Sequence, residues 1–393
     1  MNPTVLIYRT ELLPPSETFV SAQAHALRHF TPRFAGLRLV PAGLALDPCE
    51  ITLLAPGNTL AAKLRRRLFL KTGMASQFIR ALKLQHPVLL HAHFAVDGAV
   101  ALPLQEQLDI PMLVTLHGYD VTSNDETLGC TLQGRIFLRR RAELFARAHT
   151  FICVSDFIRR QALARGFPEA KLRTIPIGVD LNFFAADPLR SRDPEPIVLF
   201  VGRLVEEKGC DHLISAMSRL QDRHPEARLL IVGDGPLLDT LRSQARVSLD
   251  RCTFLGFQPP AVVRDLMYHA SVLVAPSILT ARGNSEGLGL VACEAQAVGL
   301  PVAGFHGTGI DEAVADGETG ILVPARDDMA LAEAISCLLS DASISARLSA
   351  AGPGRAKTLF SLEAQTAKLE ELYLEILDQH PCPRNLSVAA LSG

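Results

Sequence analysis

Short apolar runs alternate with longer amphipathic stretches along almost the whole chain, and they do so in two series. In the first, strand candidates are Val5–Tyr8, Leu37–Val40, Ile51–Leu54, Val88–His91, Met112–Thr115, Phe151–Val154 and Arg173–Ile175, with helical patterns at about Val20–His29, 61–84, Gly98–Leu108 and Arg135–Ala148. In the second, strands are expected at Ile197–Val201, Leu229–Val232, Thr253–Leu255, Val272–Ala275, Val302–Gly304 and Ile321–Val323. Helices are expected there near 209–220, 236–246, 260–269, 288–298, 328–340 and 361–378. Strands alternating with helices over units of roughly 25–35 residues imply βαβ crossovers and parallel sheets. Two such series predict an α/β protein with two doubly wound domains. The stretch NFFAADPLRSRDPEP mixes Pro, Asp and Arg without an apolar period, which is a joining composition. The expected division is a first domain at 1–182, a linker at 183–196, a second domain at 197–360 and a C-terminal helix at 361–380 that could cross back to the first domain.

Composition narrows the function classes. Apolar residues make up 48% and charged residues 20% of the 393, which suits packed cores and excludes a disordered chain. A net charge of −2 argues against general nucleic-acid binding, which favours clearly basic chains. The total hides an asymmetry. Residues 1–185 carry 21 Lys+Arg against 14 Asp+Glu, or +7, and residues 186–393 carry 18 against 27, or −9. The cysteines at 49, 130, 153, 210, 252, 293, 337 and 382 form no C-x-x-C pair, so neither a zinc site nor a disulfide framework is indicated. Reduced, partly buried thiols in a cytoplasmic protein are the expectation. MNPTVLIYRT lacks the basic start and long apolar stretch of a signal peptide, and no apolar run approaches about 18 residues.

Several familiar sites are missing. No strand is followed by G-x-G-x-x-G, and there is no P-loop. His91 and His93 flank one residue at a strand end and point the same way, but no third ligand is in view, so no metal is expected.

The motifs that remain lie where strands end. VGRLVEEKG (201–209) leaves a strand through Gly202 and places Arg203 and Lys208 where ligands of open α/β sheets bind. Two cations there suit a diphosphate; the same stretch also fits a solvated turn in which Glu206 and Glu207 neutralise them. In APSILTARGNSEGLGLVACEAQAVGLPV (275–302) a Gly-rich loop leads into a helix near Leu288. The amides of Gly287, Leu288 and Gly289 would open at its N-terminus, ready for an anion. Glu286 and Glu294, eight positions apart, would lie near one face and suit vicinal hydroxyls; a helix cap and an exposed helix residue are the plainer reading. In the first half, TLHGYD (115–120) sets His117 at a strand end, beside a Gly turn. PPSETF (14–19) sits at the same sheet edge, where Glu17 could touch substrate or help cap the next helix with Ser16.

Taken together, these pieces resemble the retaining glycosyltransferases of family four, of GT-B architecture. GVD with Phe183 (178–183), VGRLVEEKG, IVGDGP (231–236), FLGF (254–257), the Glu286/Glu294 pair with EAQAVGLPV, and DGETGILVP (316–324) occur in the family's order. PSETF, HAHF (91–94) and TLHGYD are similar to the subgroup that builds exopolysaccharides of the colanic-acid or amylovoran type. The resemblance covers roughly residues 4–340. It implies two Rossmann-like domains facing a central cleft, and a hexose moved from a UDP- or GDP-sugar to a hydroxyl of a lipid-linked or polysaccharide acceptor. It implies no cofactor and no metal, the nucleotide-sugar being a substrate. By the same resemblance Gly202, Arg203 and Lys208 contact the donor diphosphate, Gly256 and Phe257 flank the base, and Glu294 holds the ribose. Glu286, Gly287, Leu288 and Gly289 hold the sugar and its phosphate, His117 lies near the transfer point, and Glu17, Thr18, His93 and Asp120 fall on the acceptor side. The chain departs from the family in two places: TELLPPSETF replaces a glycine-rich loop after the first strand, and Ile310-Asp311 stands where Ile-Pro is common.

The basic excess of the first half concentrates in 63–85 and 135–148, where Lys and Arg interleave with Leu, Phe and Ile. Basic amphipathic helices can lie on anionic bilayers; helices packed on a sheet with a solvated charged face have the same pattern. The expectation is a cytoplasmic protein held peripherally on the inner face of the membrane. Competing readings are a transferase with a soluble acceptor, a nucleotide-sugar 2-epimerase, and a non-catalytic subunit of a polysaccharide machine.

Overall fold

A computed structural model of the protein describes residues 2–40, 43–44, 46–47, 50–187 and 193–380. Cys49, Cys382, positions 188–192 of the joining segment and the tail from Pro381 lie outside the described residues. The chain divides into two compact units. One comprises residues 1–154, 158–175 and the C-terminal segment from Leu362; the other comprises Ser155–Phe157 and Pro176–Ser361.

The first unit is built on strands β1 (Thr4–Tyr8), β2 (Glu11–Leu12), β3 (Thr31–Gly36), β4 (Arg38–Leu39), β5 (Ile51–Leu53), β6 (Pro87–His93), β7 (Met112–Leu116), β8 (Thr150–Cys153) and β9 (Leu172–Thr174). Its main sheet is parallel, in the order β5-β3-β1-β6-β7-β8-β9. The order reverses between β1 and β6, so the crevice outside their carboxyl ends is the ligand position of such a sheet. Val5, Ile7, Phe34, Leu89, Leu113 and Ile152 share a core with Leu369, Leu372, Tyr373 and Ile376 of the last helix, Leu362–Gln379.

The second unit holds β10 (Ile197–Val201), β11 (Arg228–Val232), β12 (Cys252–Gly256), β13 (Val272–Ala275), β14 (Val302–Phe305) and β15 (Gly320–Val323), all parallel, in the order β12-β11-β10-β13-β14-β15. Its switch point lies between β10 and β13. Near-continuous Val, Leu and Ile runs in β10 and β11 are what a sheet covered on both faces requires.

Three expectations are corrected. The strand of the main sheet is Thr31–Gly36, and the more apolar Leu37–Val40 contributes only the short β4 paired with β2. Pro32 is tolerated in β3 because β5 joins only from Phe34 onward, so its missing N–H leaves no gap in that ladder. The single helix expected over 61–84 is two, Leu60–Thr72 and Ser76–Lys83. Gly73 ends the first at φ +71, and a Cβ there would lie 2.5 Å from the Pro103 ring. The helices Ala342–Phe360 and Asp156–Ala164 were not anticipated. Gly352-Pro353-Gly354 reads as a breaker, yet Gly352 is a contact glycine: a Cβ would sit 2.7 Å from the Gln296 carbonyl of the neighbouring helix Leu290–Ala297.

Candidate active site

In the second unit the two loops at the switch point are tied together. Gly209 (φ +63) lies so close to Pro276 that a Cβ would meet its carbonyl oxygen at 2.0 Å. The Ile278 amide donates to the Glu207 carbonyl at 2.9 Å. This tie carries Lys208, in the turn Glu206–Lys208, onto Glu286, and the ammonium and carboxylate form a half-buried ion pair. Arg203 stands next to it, mostly exposed, with only a loose contact of 3.4 Å to Glu207. Burial pushes the Glu286 carboxyl up, but Lys208, Arg203 and the Gly289 amide outweigh it and hold it below the ordinary range.

The helix expected from Leu288 begins at Leu290, with Gly289 (φ +87) before it. Glu286 is therefore on the approach to the helix, not on its face, and the Gly289 amide is turned to the Glu286 carboxylate. Gly289 stands at φ +87, where an L side chain is strained, and a Cβ would also press on the movable Ile310 Cδ1 at 2.4 Å. Gly287 and Leu288 are buried, and the Glu286 carbonyl accepts from the Gly309 amide at 3.1 Å. Glu294 lies one turn inside the helix. It keeps partial exposure, yet burial pushes its carboxyl up to about 8. Thr280 Oγ1 and Ser285 Oγ of the same loop are buried without a hydrogen-bond partner.

Gly202 leaves β10 with only ordinary contacts around its Cβ position, so no clash requires glycine there. Gly256 (φ +67) ends β12, and Phe257 beyond it is 57% exposed. Two strand spacings of about 4.8 Å put them roughly 10 Å from β10. The Asp311 departure has a local role: its carboxylate accepts from the Gly307 amide (2.9 Å) and from His306 Nδ1 (2.8 Å), closing the turn before the helix Ile310–Ala313.

In the first unit the switch point holds a buried cluster that the sequence reading missed. Arg9 is paired with Glu17 (Nε to Oε2, 2.8 Å) and with Asp97, and its guanidinium lies 4.3 Å from the Phe94 ring centre. Asp97 also accepts from the Thr10 amide at 3.0 Å. Its signal was an arginine directly after the first strand and an acid at the start of the helix Ala95–Leu108, neither part of a motif. Phe94, at φ +71, is a strained non-glycine residue, and its ring packs 4.6 Å from that of His117, with Phe19 at 4.9 Å. His117 Nε2 lies 2.9 Å from His93 Nδ1, while His117 Nδ1 is buried without a partner among the described residues. His91, His93 and His117 stack in a column, and His91 reaches Tyr373 Oη at 2.6 Å and Thr115 Oγ1 at 2.7 Å. Burial holds all three imidazoles below their ordinary range, His91 at about 3.

Glu17, His93 and Asp120 are thus built into the frame: Glu17 by Arg9, His93 by His117, and Asp120 by the amides of Ala95, His117 and Gly118. Thr18 opens the helix Thr18–His25 and is half-buried. The helix N-cap position is Glu17 itself, without a side-chain cap.

The model of the glycosyl transferases group 1 matches residues 184–355, and that of glycosyltransferase family 4 matches residues 23–183. The chain belongs to the GT-B glycosyltransferases. Among its relatives, the GDP-mannose-dependent alpha-(1-6)-phosphatidylinositol monomannoside mannosyltransferase of Mycolicibacterium smegmatis is 36% identical over 231 residues, covering 56% of this chain and 60% of that one. A putative colanic acid biosynthesis glycosyltransferase, WcaL of Escherichia coli, is 30% identical over 250 residues, covering 62% and 60%. Among solved structures, the sucrose-phosphate synthase of Thermosynechococcus elongatus superposes with a TM-score of 0.76 at 25% identity, over 96% of this glycosyltransferase and 100% of that chain. HepE of Anabaena, bound to UDP and glucose, gives 0.74 at 18% identity, over 94% and 99%. Among the described residues of the glycosyltransferase, no single helix is long and apolar enough to cross a membrane.

Proposed function

We propose that this glycosyltransferase moves a hexose, with retention, from a UDP- or GDP-sugar to a hydroxyl of a lipid-linked or polysaccharide acceptor of the exopolysaccharide type. The surroundings of the Glu286 carboxylate carry the reading. Lys208, Arg203 and the Gly289 amide converge on an anionic oxygen at the switch point, which is what a nucleoside diphosphate needs. Phe257, roughly 10 Å along the sheet edge, suits the base, and Glu294 suits the ribose hydroxyls. The GDP-mannose dependence of the mycobacterial relative and the UDP of HepE support a nucleotide-sugar donor.

In the transfer, the bond from sugar C1 to the leaving phosphate oxygen breaks, and the acceptor oxygen bonds to C1 on the same face. The acceptor proton passes to the leaving phosphate. Arg203, Lys208 and the helix N-terminus stabilise the charge that develops on that phosphate, and the step needs no metal or other cofactor. His117, with its free Nδ1, serves the donor sugar, while Glu17, His93 and Asp120 hold the acceptor-side wall and Thr18 faces the acceptor. The protein works peripherally at the cytoplasmic face of a membrane, on lipid-linked saccharide.

The test is Glu286→Ala, assayed by release of free nucleotide from the preferred donor and by circular dichroism. The expected result is loss of turnover with the spectrum unchanged. Unchanged turnover removes Glu286 from the site.

A further inference from the structure

The residues expected on the acceptor side of the first unit are mostly spent on its frame, and what they frame is an aromatic ring. Asp120 gives its carboxylate to the backbone amides of Ala95 (2.8 Å), Gly118 (2.9 Å) and His117 (3.2 Å). These contacts lock the turn Tyr119–Thr122 beyond the carboxyl end of β7, and Thr122 Oγ1 donates back to the Gly118 carbonyl at 3.1 Å. Gly118 and Asp120 are buried, yet Tyr119 between them is 41% exposed. Among the described residues only Tyr119 and Phe257 are exposed aromatic side chains, and each stands where strands of its own sheet end.

Tyr119 is not a loose surface residue. Its ring packs on that of Phe94 at 5.2 Å, tilted by 32°. Phe94 in turn lies against His117 at 4.6 Å and against the Arg9 guanidinium at 4.3 Å, and Arg9 is clamped by Glu17 and Asp97. The positive φ of Phe94 is a conformation its surroundings impose, and such positions gather at ligand sites. The charges of Asp97, Arg9, Asp120 and Glu17 all reach the Tyr119 phenol. One side of the ring is thus fixed on a buried aromatic stack and the rest is open, at the switch point between β1 and β6. Ser16, exposed, and Thr18, half-buried, supply hydroxyls at the same sheet end.

We propose that Tyr119 is the platform on which a sugar ring of the acceptor stacks. A pyranose carries its hydroxyls around the edge and leaves C–H bonds on its faces. A rigid aromatic face set in polar surroundings matches that pattern, and a tyrosine has little conformational freedom to lose in presenting it. Through Phe94 the platform is tied to His117, so a ring stacked there lies beside the group given to the donor sugar. The inference rests on the acceptor being a saccharide, as proposed above, and assigns the residue of the first unit that holds it.

Full-length protein is probed with methyl β-D-glucopyranoside, methyl β-D-galactopyranoside and methyl α-D-mannopyranoside. Glycerol, which has hydroxyls but no ring face, is the control. Saturation-transfer NMR reads which probe protons touch the protein. At least one glycoside is expected to receive saturation on the C–H protons of one ring face, and glycerol none. Tyr119→Phe keeps the ring and should bind within about twofold of wild type, whereas Tyr119→Ala should weaken binding about tenfold. Because Tyr119→Ala also loosens the contact with Phe94, Tyr119→Leu is measured beside it. The leucine fills much of the space, should give an unchanged circular dichroism spectrum, and should still weaken binding several-fold. Absence of transfer to every glycoside, equal transfer to glycerol, or unaltered binding in Tyr119→Ala or Tyr119→Leu overturns the proposal. So does a loss in Tyr119→Phe as large as in Tyr119→Ala, because the phenol and not the ring face would then be the contact. No nucleotide-sugar enters these measurements, so the stacking platform can fail while the transfer reading stands.

Discussion

Replacing Lys208 with Met keeps most of the side-chain stem and removes the charge that faces Glu286. The two side chains are 21% and 16% exposed. Breaking a fully buried pair costs about 3–5 kcal/mol; with this much solvent access about 2–3 kcal/mol is expected. The sign with pH follows from the carboxyl. In the wild type Glu286 is held below 4.5, so its pairing stabilises the fold above that pH and is lost on acidification. In Lys208→Met, burial, the largest influence on this group, is no longer offset by Lys208. The carboxyl then rises from its depressed value, and the stability that the pairing adds above pH 4.5 is lost. Urea unfolding of wild type, Lys208→Met, Glu286→Gln and the double variant tests this. The Lys208→Met deficit should be small at about pH 4 and full at about pH 7. The double variant should recover most of it, with a coupling of about 2 kcal/mol. A deficit independent of pH, or additive single changes, refutes the pairing as the organising contact of this loop.

Three further outcomes follow from the same geometry. Glu294→Gln should gain thermal stability over wild type in a gap that widens from pH 4.5 to about 8 and then stays level, because only the wild type must charge this buried carboxyl; parallel melting curves would contradict it. Arg9→Met removes the buried guanidinium that Glu17 and Asp97 share and should cost about 3–5 kcal/mol, part of it recovered by adding Glu17→Gln, as read by urea unfolding. Gly289→Ala should cost about 1–3 kcal/mol in thermal unfolding, and Ile310→Val, which removes the atom at 2.4 Å, should recover the clash but not the part due to φ +87.

The second unit was largely legible from sequence because buried parallel strands are continuous apolar runs, and β10, β11, β13 and β14 have that form. The first unit was less so. Its β3, between β1 and β5 in the main sheet, contains Pro32 and Arg33, while the more regular LRLV next to it stays outside that sheet; pairing partners, not propensity, decide between them. Lys208 and Glu286 could be singled out because both stand at strand ends in glycine-rich loops. That they touch could not, since it depends on the Gly209–Pro276 approach across nearly 70 residues. Arg9 and Asp97 were invisible because each is ordinary in sequence, and Phe94 entered only as the end of HAHF; their roles come from burial together. The basic segments looked alike as strings. Only the positions of Glu143, Asp125 and Glu106 show that Arg140, Arg141 and Arg147 in the second of them are paired.

The central claim is that the switch point of the second unit binds a nucleoside diphosphate-sugar. A panel of UDP-, GDP- and ADP-hexoses, scored for thermal stabilisation and slow release of free nucleotide, tests it most directly. One of the UDP- or GDP-sugars is expected to stabilise the wild type and to be slowly hydrolysed by it, and both effects should be lost in Lys208→Met. Stabilisation by none of them, or stabilisation that survives the loss of Lys208, would contradict it.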